Sequence, residues 1–174
     1  MLLDAQGEVW ATGNNAGGQL GLGDRTNRDT PQKIPTLSGI VQVAVGGTGR
    51  SFHTVFLDQD GDVWSTGNGN DGQLGLEDTW DRNVPEQMQT VASIAHIAAG
   101  GYHTMLVDRS GVAYGTGWDG FGLLGLDSTA DGHQNSPQPL PSPTRVVHAA
   151  AGSEHTVLLA HEVPDCGSTA PVID

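Results

Sequence analysis

The segment His53-Thr-Val-Phe-Leu-Asp-Gln-Asp-Gly-Asp-Val-Trp-Ser-Thr-Gly67 decides the fold. Its two halves, His53 to Asp58 and Asp62 to Thr66, are rich in β-branched and aromatic residues and are separated by Gln59-Asp60-Gly61. An Asp-Gly pair between two such runs is a strong β-hairpin signal, because glycine adopts the positive φ that tight hairpin turns need. The segment therefore predicts two antiparallel strands joined by a short turn.

The second half of this hairpin occurs three times along the chain. The copies are Gly7-Glu-Val-Trp-Ala-Thr-Gly13, Gly61-Asp-Val-Trp-Ser-Thr-Gly67 and Gly111-Val-Ala-Tyr-Gly-Thr-Gly117. The blocks that follow them are Gly18-Gln-Leu-Gly-Leu22, Gly72-Gln-Leu-Gly-Leu76 and Gly122-Leu-Leu-Gly-Leu126. A His-Thr pair then opens an apolar run at His53, His103 and His155. The interval from Gly7 to Gly61 is longer than that from Gly61 to Gly111, and one short insertion around Thr48-Gly-Arg-Ser51 accounts for the difference. The chain is therefore a tandem repeat.

Each unit has room for about four short strands. Besides the hairpin, apolar runs at Val91 to Ala99 and Val84 to Met88 predict two further strands in the middle of the chain. No segment shows the 3.6-residue apolar period of an amphipathic helix. Four short strands in a repeated unit are typical of a β-propeller blade. We therefore predict an all-β fold, with blades of about four antiparallel strands in three blade-like sheets.

The order of these motifs resembles the regulator of chromosome condensation repeat family. The resemblance runs from about Leu2 to Ala160 and implies three tandem repeats, at about residues 1–57, 58–107 and 108–160, with a polar C-terminal tail or linker at 161–174. The family's propeller has seven blades, and propellers generally close with roughly four to eight. We expect an open, partial propeller, most simply a segment of a longer one.

Open propeller edges also predict self-association, because an uncovered strand edge favours pairing with another chain. The strand around Val157-Leu-Leu159 of one copy could supply the partner missing beside Val9-Trp10 of another. Such a contact would be head to tail.

The repeated positions are interpreted as scaffold. In the family that the motifs resemble, the glycines and His-Thr pairs are largely structural. The resemblance thus implies structural roles for Gly13, Gly67, Gly117, His53, His103 and His155.

Residues that break the repeat on expected loops are the better candidates for partner binding, because aromatic residues and arginine are enriched among interface anchors. These candidates are Arg50, Trp80, Trp118, Phe121 and Asp131.

The charge of the chain restricts its partners. The 174 residues include 20 acidic and 7 basic side chains, which gives a formal net charge of −13. A nucleic-acid backbone would be repelled by this field, whereas a basic protein surface would complement it. The start of the chain lacks the features of a signal peptide, and no apolar run reaches the ~20 residues of a membrane helix. We expect a cytoplasmic protein without direct nucleic-acid or membrane contact.

Two motifs resemble cofactor-binding or metal-binding loops, but the residues around them do not fit such a site. Gly67-Asn-Gly-Asn-Asp-Gly72 has the spacing of a dinucleotide-binding loop, but no helix start follows it. Asp58-Gln-Asp-Gly-Asp62 fits a hairpin turn better than a calcium loop. We therefore expect no cofactor, no metal and no catalytic residue. The favoured function is a non-catalytic protein–protein interaction scaffold. The alternatives are a guanine-nucleotide exchange regulator of a small GTPase and an inhibitor of an enzyme.

Overall fold

The computed structural model of the chain describes residues 1–49, 51–126, 132–141 and 145–161. The described residues form thirteen β-strands and one 3-10 turn, at Gly120–Gly122. The strands are β1 (Leu2–Leu3), β2 (Val9–Gly13), β3 (Arg28–Lys33), β4 (Ile40–Thr48), β5 (Ser51–Asp58), β6 (Val63–Gly67), β7 (Arg82–Gln87), β8 (Ile94–Ala99), β9 (His103–Asp108), β10 (Ala113–Trp118), β11 (His133–Pro139), β12 (Arg145–Ala151) and β13 (Thr156–His161).

These strands form four antiparallel sheets in which each strand pairs with its neighbours in sequence. The orders are β1-β2-β3, β4-β5-β6-β7, β8-β9-β10-β11 and β12-β13. The all-β class and the four-stranded antiparallel blade are thereby confirmed. The number of sheets differs from the expected three, because each complete sheet starts in one sequence unit and ends in the next. The second sheet takes β4 and β5 from the first unit and β6 and β7 from the second.

An aspartate at the end of the second strand fixes each hairpin turn. The Asp58 carboxylate accepts hydrogen bonds from the backbone N–H groups of residues 60–62, at 2.9–3.1 Å. Gly61 has φ of +93°, and a Cβ there would lie 3.0 Å from the Ile94 carbonyl oxygen of the next sheet. The Asp-Gly turn is thus required both by the hairpin and by the close approach of its neighbour.

The repeated aromatic residues connect the turns to the cores. Trp64 is half-buried, and its indole N–H donates to Asp58 Oδ2 at 3.2 Å. The Tyr114 hydroxyl makes the equivalent bond to Asp108 Oδ2 at 3.3 Å. Each ring packs against the core of the preceding pair of sheets, so one face of the side chain is apolar and its polar edge is satisfied.

Three hydrophobic cores lie between successive sheets. The middle core, for example, includes Val55, Leu57 and Val63 of the second sheet and Ile94, Ile97 and Leu106 of the third. All six side chains are at most 2% exposed. Burial of one such side chain contributes roughly 1.5–3 kcal/mol, so the contact between neighbouring sheets is a major source of stability.

His53 and His103 each join two neighbouring sheets. His53 Nε2 lies 3.0 Å from Thr104 Oγ1, and His103 Nε2 lies 2.9 Å from Thr156 Oγ1. The Thr104 hydroxyl donates its own proton to the Gln73 carbonyl at 2.8 Å. His53 must therefore be the donor and carry its proton on Nε2. Burial lowers the pKa of His53 to about 3 and that of His103 to about 4, so both rings are neutral at physiological pH.

Glycines allow the first strands of successive sheets to approach closely. The Gly47 N–H donates to the Gly100 carbonyl at 2.9 Å, and the Gly101 N–H donates to the Gly152 carbonyl at 3.0 Å. A Cβ on Gly100 would overlap the His103 ring of its own sheet. The glycine and the histidine of each repeat are therefore packed as a pair.

The insertion in the first unit lengthens one hairpin. In the second sheet, β4 and β5 continue past Gly46↔His53 to the pairs Gly47↔Phe52 and Thr48↔Ser51. In the third sheet the corresponding ladder ends at Ala99↔Thr104. The extra residues thus extend the hairpin and leave the spacing of the sheets unchanged.

Candidate protein-interaction surface

Three of the five predicted partner-binding residues lie at the same end of the sheets. Trp80 is on the loop between β6 and β7, Trp118 is the last residue of β10, and Phe121 is in the 3-10 turn on the loop between β10 and β11. These loops are equivalent because each joins the third and fourth strands of its sheet. Arg50 and Asp131 lie outside the described residues.

Trp118 and Phe121 form an aromatic cluster with Tyr102. The ring centroids of Tyr102 and Trp118 are 5.7 Å apart with an interplanar angle of 81°, and those of Trp118 and Phe121 are 5.5 Å apart at 76°. Both pairs are therefore edge-to-face contacts, which aromatic rings prefer to a direct face-to-face stack. The Trp118 N–H donates to the Tyr102 carbonyl at 3.0 Å, so the backbone also holds the two residues together.

Phe121 is the most exposed and most strained member of the aromatic cluster. Its side chain is 84% exposed, and its backbone has φ of +62° and ψ of +13°. A non-glycine residue in this left-handed region costs on the order of 1–3 kcal/mol, and such residues concentrate at functional sites. Here a large apolar ring is held in water by a strained backbone.

Trp80 is presented by a turn whose polar contacts are repeated elsewhere in the chain. The Trp80 N–H donates to Asp78 Oδ1 at 3.0 Å, and Arg82 Nη1 donates to the Trp80 carbonyl at 2.9 Å. The Arg82 guanidinium also binds Asp78 Oδ2 at 2.7 Å and lowers the pKa of that carboxyl. The same turn in the first unit carries Thr26 at this place. The turn is thus shared, while the indole, 74% exposed, is particular to the second unit.

The structure brings together Trp118 and Phe121 but shows no aromatic contact from them to Trp80 within the described part of the chain. Sequence reasoning missed Tyr102. Two features of the sequence indicate Tyr102. Phe52 is aromatic at the same place in the preceding unit. A hairpin that pairs Gly117 with His103 also places Trp118 beside Tyr102.

The repeated glycines share one backbone conformation, with φ of +109° at Gly13, +110° at Gly67 and +114° at Gly117. A Cβ on Gly67 or Gly117 would overlap a carbonyl oxygen of the paired strand, whereas a Cβ on Gly13 would meet no atom within 4 Å. Of the repeated histidines, His53 and His103 are buried, but His155 is exposed.

Among the described residues there is no group of three or more His, Cys, Asp or Glu side chains that could hold a metal ion. Across the same residues, no helix is long and apolar enough to span a membrane.

The family assignment follows from the repeat that these sheets express. The family model described as "Regulator of chromosome condensation (RCC1) repeat" matches residues 6–57, 60–107 and 110–159, and a second model of this repeat matches residues 94–123. The chain belongs to the RCC1 repeat family. The matched segments also run from one sheet into the next, as the repeat units of the sequence do.

Curated relatives resemble the chain over part of their own length. The chain is 36% identical over 105 residues to the mitochondrial RCC1 domain-containing protein RUG3 of Arabidopsis thaliana, covering 58% of the chain and 23% of the relative. It is 44% identical over 160 residues to the X-linked retinitis pigmentosa GTPase regulator of Canis lupus familiaris, covering 90% and 16%. It is 39% identical over 105 residues to the Rattus norvegicus protein named "Probable E3 ubiquitin-protein ligase HERC4", covering 58% and 10%. The chain thus spans less than a quarter of each.

Solved structures share the fold. Prp20p of Saccharomyces cerevisiae, described with its binding properties to Gsp1p and histones, superimposes with a TM-score of 0.80 at 21% identity over 94% of this chain and 42% of Prp20p. Yeast RCC1 (Prp20) bound to Kap60 gives a TM-score of 0.81 at 20% identity over 91% and 39%. The four sheets are therefore blades of an RCC1-type propeller arc.

Proposed function

We propose that the chain is a non-catalytic protein-interaction scaffold that binds its partner through the aromatic cluster and Trp80. The observation that carries this proposal is the cluster itself: three rings in edge-to-face contact, with Phe121 strained and exposed. The rigid sheets hold these rings on loops, which is how propeller-type folds separate scaffold from function.

Aromatic anchors suit this role physically. Tyr, Trp and Phe bring a large contact area with few rotatable bonds, so they lose little conformational entropy on binding. Trp118 is held between two rings, so less ordering remains to be done when a partner arrives. The net charge of −13 would speed encounter with a basic protein surface, and this effect weakens as salt screens it.

The comparisons support the class of partner. Prp20p is described with Gsp1p, histones and Kap60, so proteins of this fold bind other proteins. This chain covers less than half of Prp20p, so Gsp1p, histones and Kap60 are not assigned to it as partners. The relatives also include a protein named as a probable ubiquitin ligase, of which the chain matches 10%. The scaffold role is proposed for these residues alone and says nothing about catalysis by the rest of such a protein.

The test is affinity capture with matched variants. Phe121→Ala and Trp80→Ala should lose a partner that the wild-type chain retains, with a nearly unchanged melting temperature, because both side chains are largely exposed. Val112→Ala is the control: Val112 is exposed on the β9–β10 turn, at the opposite end of the sheets. Retention of every partner by the Phe121 and Trp80 variants would refute the assignment of this surface.

A second candidate function is regulation of a small GTPase. It is favoured by the match to the X-linked retinitis pigmentosa GTPase regulator over 90% of this chain. Release of labelled GDP from a panel of small GTPases tests it. Faster release in the presence of the chain, reduced by Phe121→Ala, would support exchange activity at the aromatic cluster. Unchanged release across the panel would remove this candidate.

A further inference from the structure

The aromatic cluster continues across the third sheet to a histidine. Trp118, at the end of β10, lies beside Tyr102 on one side and is paired with His133 of β11 on the other. Residues that oppose each other in an antiparallel pair have Cβ atoms about 4.5–5.5 Å apart, on the same face of the sheet. Tyr102, Trp118 and His133 therefore follow one another across three neighbouring strands.

His133 extends this row of side chains to a carboxylate of the preceding unit. Its Nδ1 lies 3.3 Å from the Asp71 carbonyl oxygen and 3.5 Å from Asp71 Oδ1. Both of these atoms are acceptors, so Nδ1 carries the ring proton when His133 is neutral. Asp71 lies on the loop between β6 and β7, and the row thus crosses from the third sheet to a loop of the second.

Asp71 differs from the other aspartates of this loop in its charge partner. Asp78 and Asp81 lie 2.7 Å and 3.0 Å from an arginine nitrogen. Among the described residues, Asp71 forms an ion pair only with His133, which is charged only when it is protonated. Burial raises the pKa of the Asp71 carboxyl, and His133 and the Ser51 hydroxyl oppose this effect only in part. A carboxylate that has lost water without gaining a permanent cation is stabilised by a cation that reaches it.

The carboxylate and the rings are open to solvent from the same end of the sheets. The side chain of Asp71 is 23% exposed and that of His133 is 47% exposed. Phe121, in edge-to-face contact with Trp118, projects almost entirely into water. A side chain that reaches Asp71 past His133 therefore meets aromatic surface along its length.

We propose that Asp71, together with Trp118 and Phe121, binds an arginine side chain of a basic partner protein. The guanidinium would pair with the Asp71 carboxylate, and the apolar stem of the arginine would lie against the rings. This proposal rests on the scaffold function proposed above and specifies the chemistry of the partner.

The chemistry of the site favours arginine over other side chains. A guanidinium offers planar N–H donors that match a carboxylate and also stacks on aromatic rings, whereas the ammonium of lysine is a strongly hydrated point charge. Cations over the faces of Trp and Phe rings gain further attraction. The net charge of −13 adds long-range attraction to a basic segment. An arginine therefore satisfies both the carboxylate and the rings at once.

Nuclear magnetic resonance titration of the 174-residue chain tests this proposal with two synthetic peptides. The probes are N-acetyl-tetraarginine amide and its tetracitrulline counterpart, in which the uncharged citrulline has nearly the shape of arginine. We expect tetraarginine to shift the indole N–H signal of Trp118 in a saturable manner and tetracitrulline to leave it unchanged. Tetralysine should bind more weakly than tetraarginine.

Two matched variants separate the site from the overall charge. Asp71→Asn should weaken tetraarginine binding by about tenfold to a hundredfold, the effect of losing a hydrogen bond to a charged group. Asp60→Asn is the control, because it removes the same charge from an exposed residue on the β5–β6 turn, at the opposite end of the sheets. Its effect should be small, since physiological salt screens charges beyond ~8 Å.

Both variants should keep the wild-type melting temperature, because neither carboxylate has an arginine or lysine partner among the described residues. Equal weakening by Asp71→Asn and Asp60→Asn would overturn the proposal, as would tetraarginine binding that leaves the Trp118 signal in place. A captured partner that Phe121→Ala loses and Asp71→Asn retains would overturn the arginine site and leave the scaffold function standing. A partner that both variants retain would count against the scaffold function itself.

Discussion

The substitution Thr104→Val isolates the hydrogen bond that joins two blades. Valine keeps the shape of threonine but removes the hydroxyl that accepts from His53 and donates to the Gln73 carbonyl. Both partners are fully buried. A buried donor or acceptor left without a partner costs about 1–3 kcal/mol, so the variant should lose about 2–6 kcal/mol of unfolding free energy.

Thr54→Val is the matched control within the same fold. Thr54 is also fully buried and donates to the Gln19 carbonyl at 2.8 Å, but no histidine donates to it among the described residues. Thr54→Val should therefore leave only the Gln19 carbonyl without a partner and should lower the unfolding free energy by about 1–3 kcal/mol. The difference between the two variants, about 1–3 kcal/mol, measures the imidazole bond between neighbouring sheets.

Urea unfolding at pH 7 gives both free energies, and thermal melting should show a shift of about 2–4 °C for each kcal/mol in a protein of this size. Equal losses for Thr104→Val and Thr54→Val would show that the His53 bond adds nothing, and the inter-blade link would then rest on apolar packing alone.

Three further predictions concern pH, strain and packing. Because His53 and His103 have pKa values near 3 and 4 when folded and about 6.5 when unfolded, their contribution is complete above pH 6.5 and is lost as the pH falls towards 4, by about 4 kcal/mol in total between pH 7 and pH 5. Urea unfolding at the two pH values measures it, and a change below about 1 kcal/mol would contradict it. Phe121→Gly should raise the melting temperature by removing left-handed strain while weakening partner binding, and a lowered melting temperature would show that the ring stabilises the fold. Gly67→Ala should destabilise more than Gly13→Ala, because both have φ near +110° but only the added Cβ at Gly67 meets a carbonyl oxygen; equal melting temperatures would contradict this.

The local structure could be predicted because its signals are local. Asp58 and Gly61 lie within one turn, so the sequence contains everything that the hairpin between β5 and β6 needs. The residue at which each sheet begins could not be predicted in this way. The repeat length of about fifty residues is the same wherever a unit is taken to begin. The first strand of a sheet, in contrast, is defined by which strands pair with each other. The pairing of β4 with β5 is therefore visible only in three dimensions.

The candidate surface was recoverable in part for a similar reason. Trp80 and Trp118 stand out because aligned units carry other residues at these places. Tyr102 does not stand out, since its contact with Trp118 depends on the ladder between β9 and β10. The hydrogen bond of His53 could not be predicted either. Its acceptor, Thr104, belongs to the next unit, and the spacing of the repeats does not indicate that the two side chains are in contact.

The third unit gives up stability at the loop where the aromatic cluster lies. In the second unit, Asn68 occupies the place of Trp118, and its side chain accepts a hydrogen bond from the Phe52 N–H at 3.0 Å. An indole has no acceptor for such a bond, so the substitution loses it. The same loop adds the strained backbone of Phe121, whose ring remains in solvent. Trp118 gains aromatic contacts with Tyr102 and Phe121 but stays half-buried. Under the proposed scaffold function, a partner bound over Trp118 and Phe121 would bury both rings and offset the stability that this loop loses.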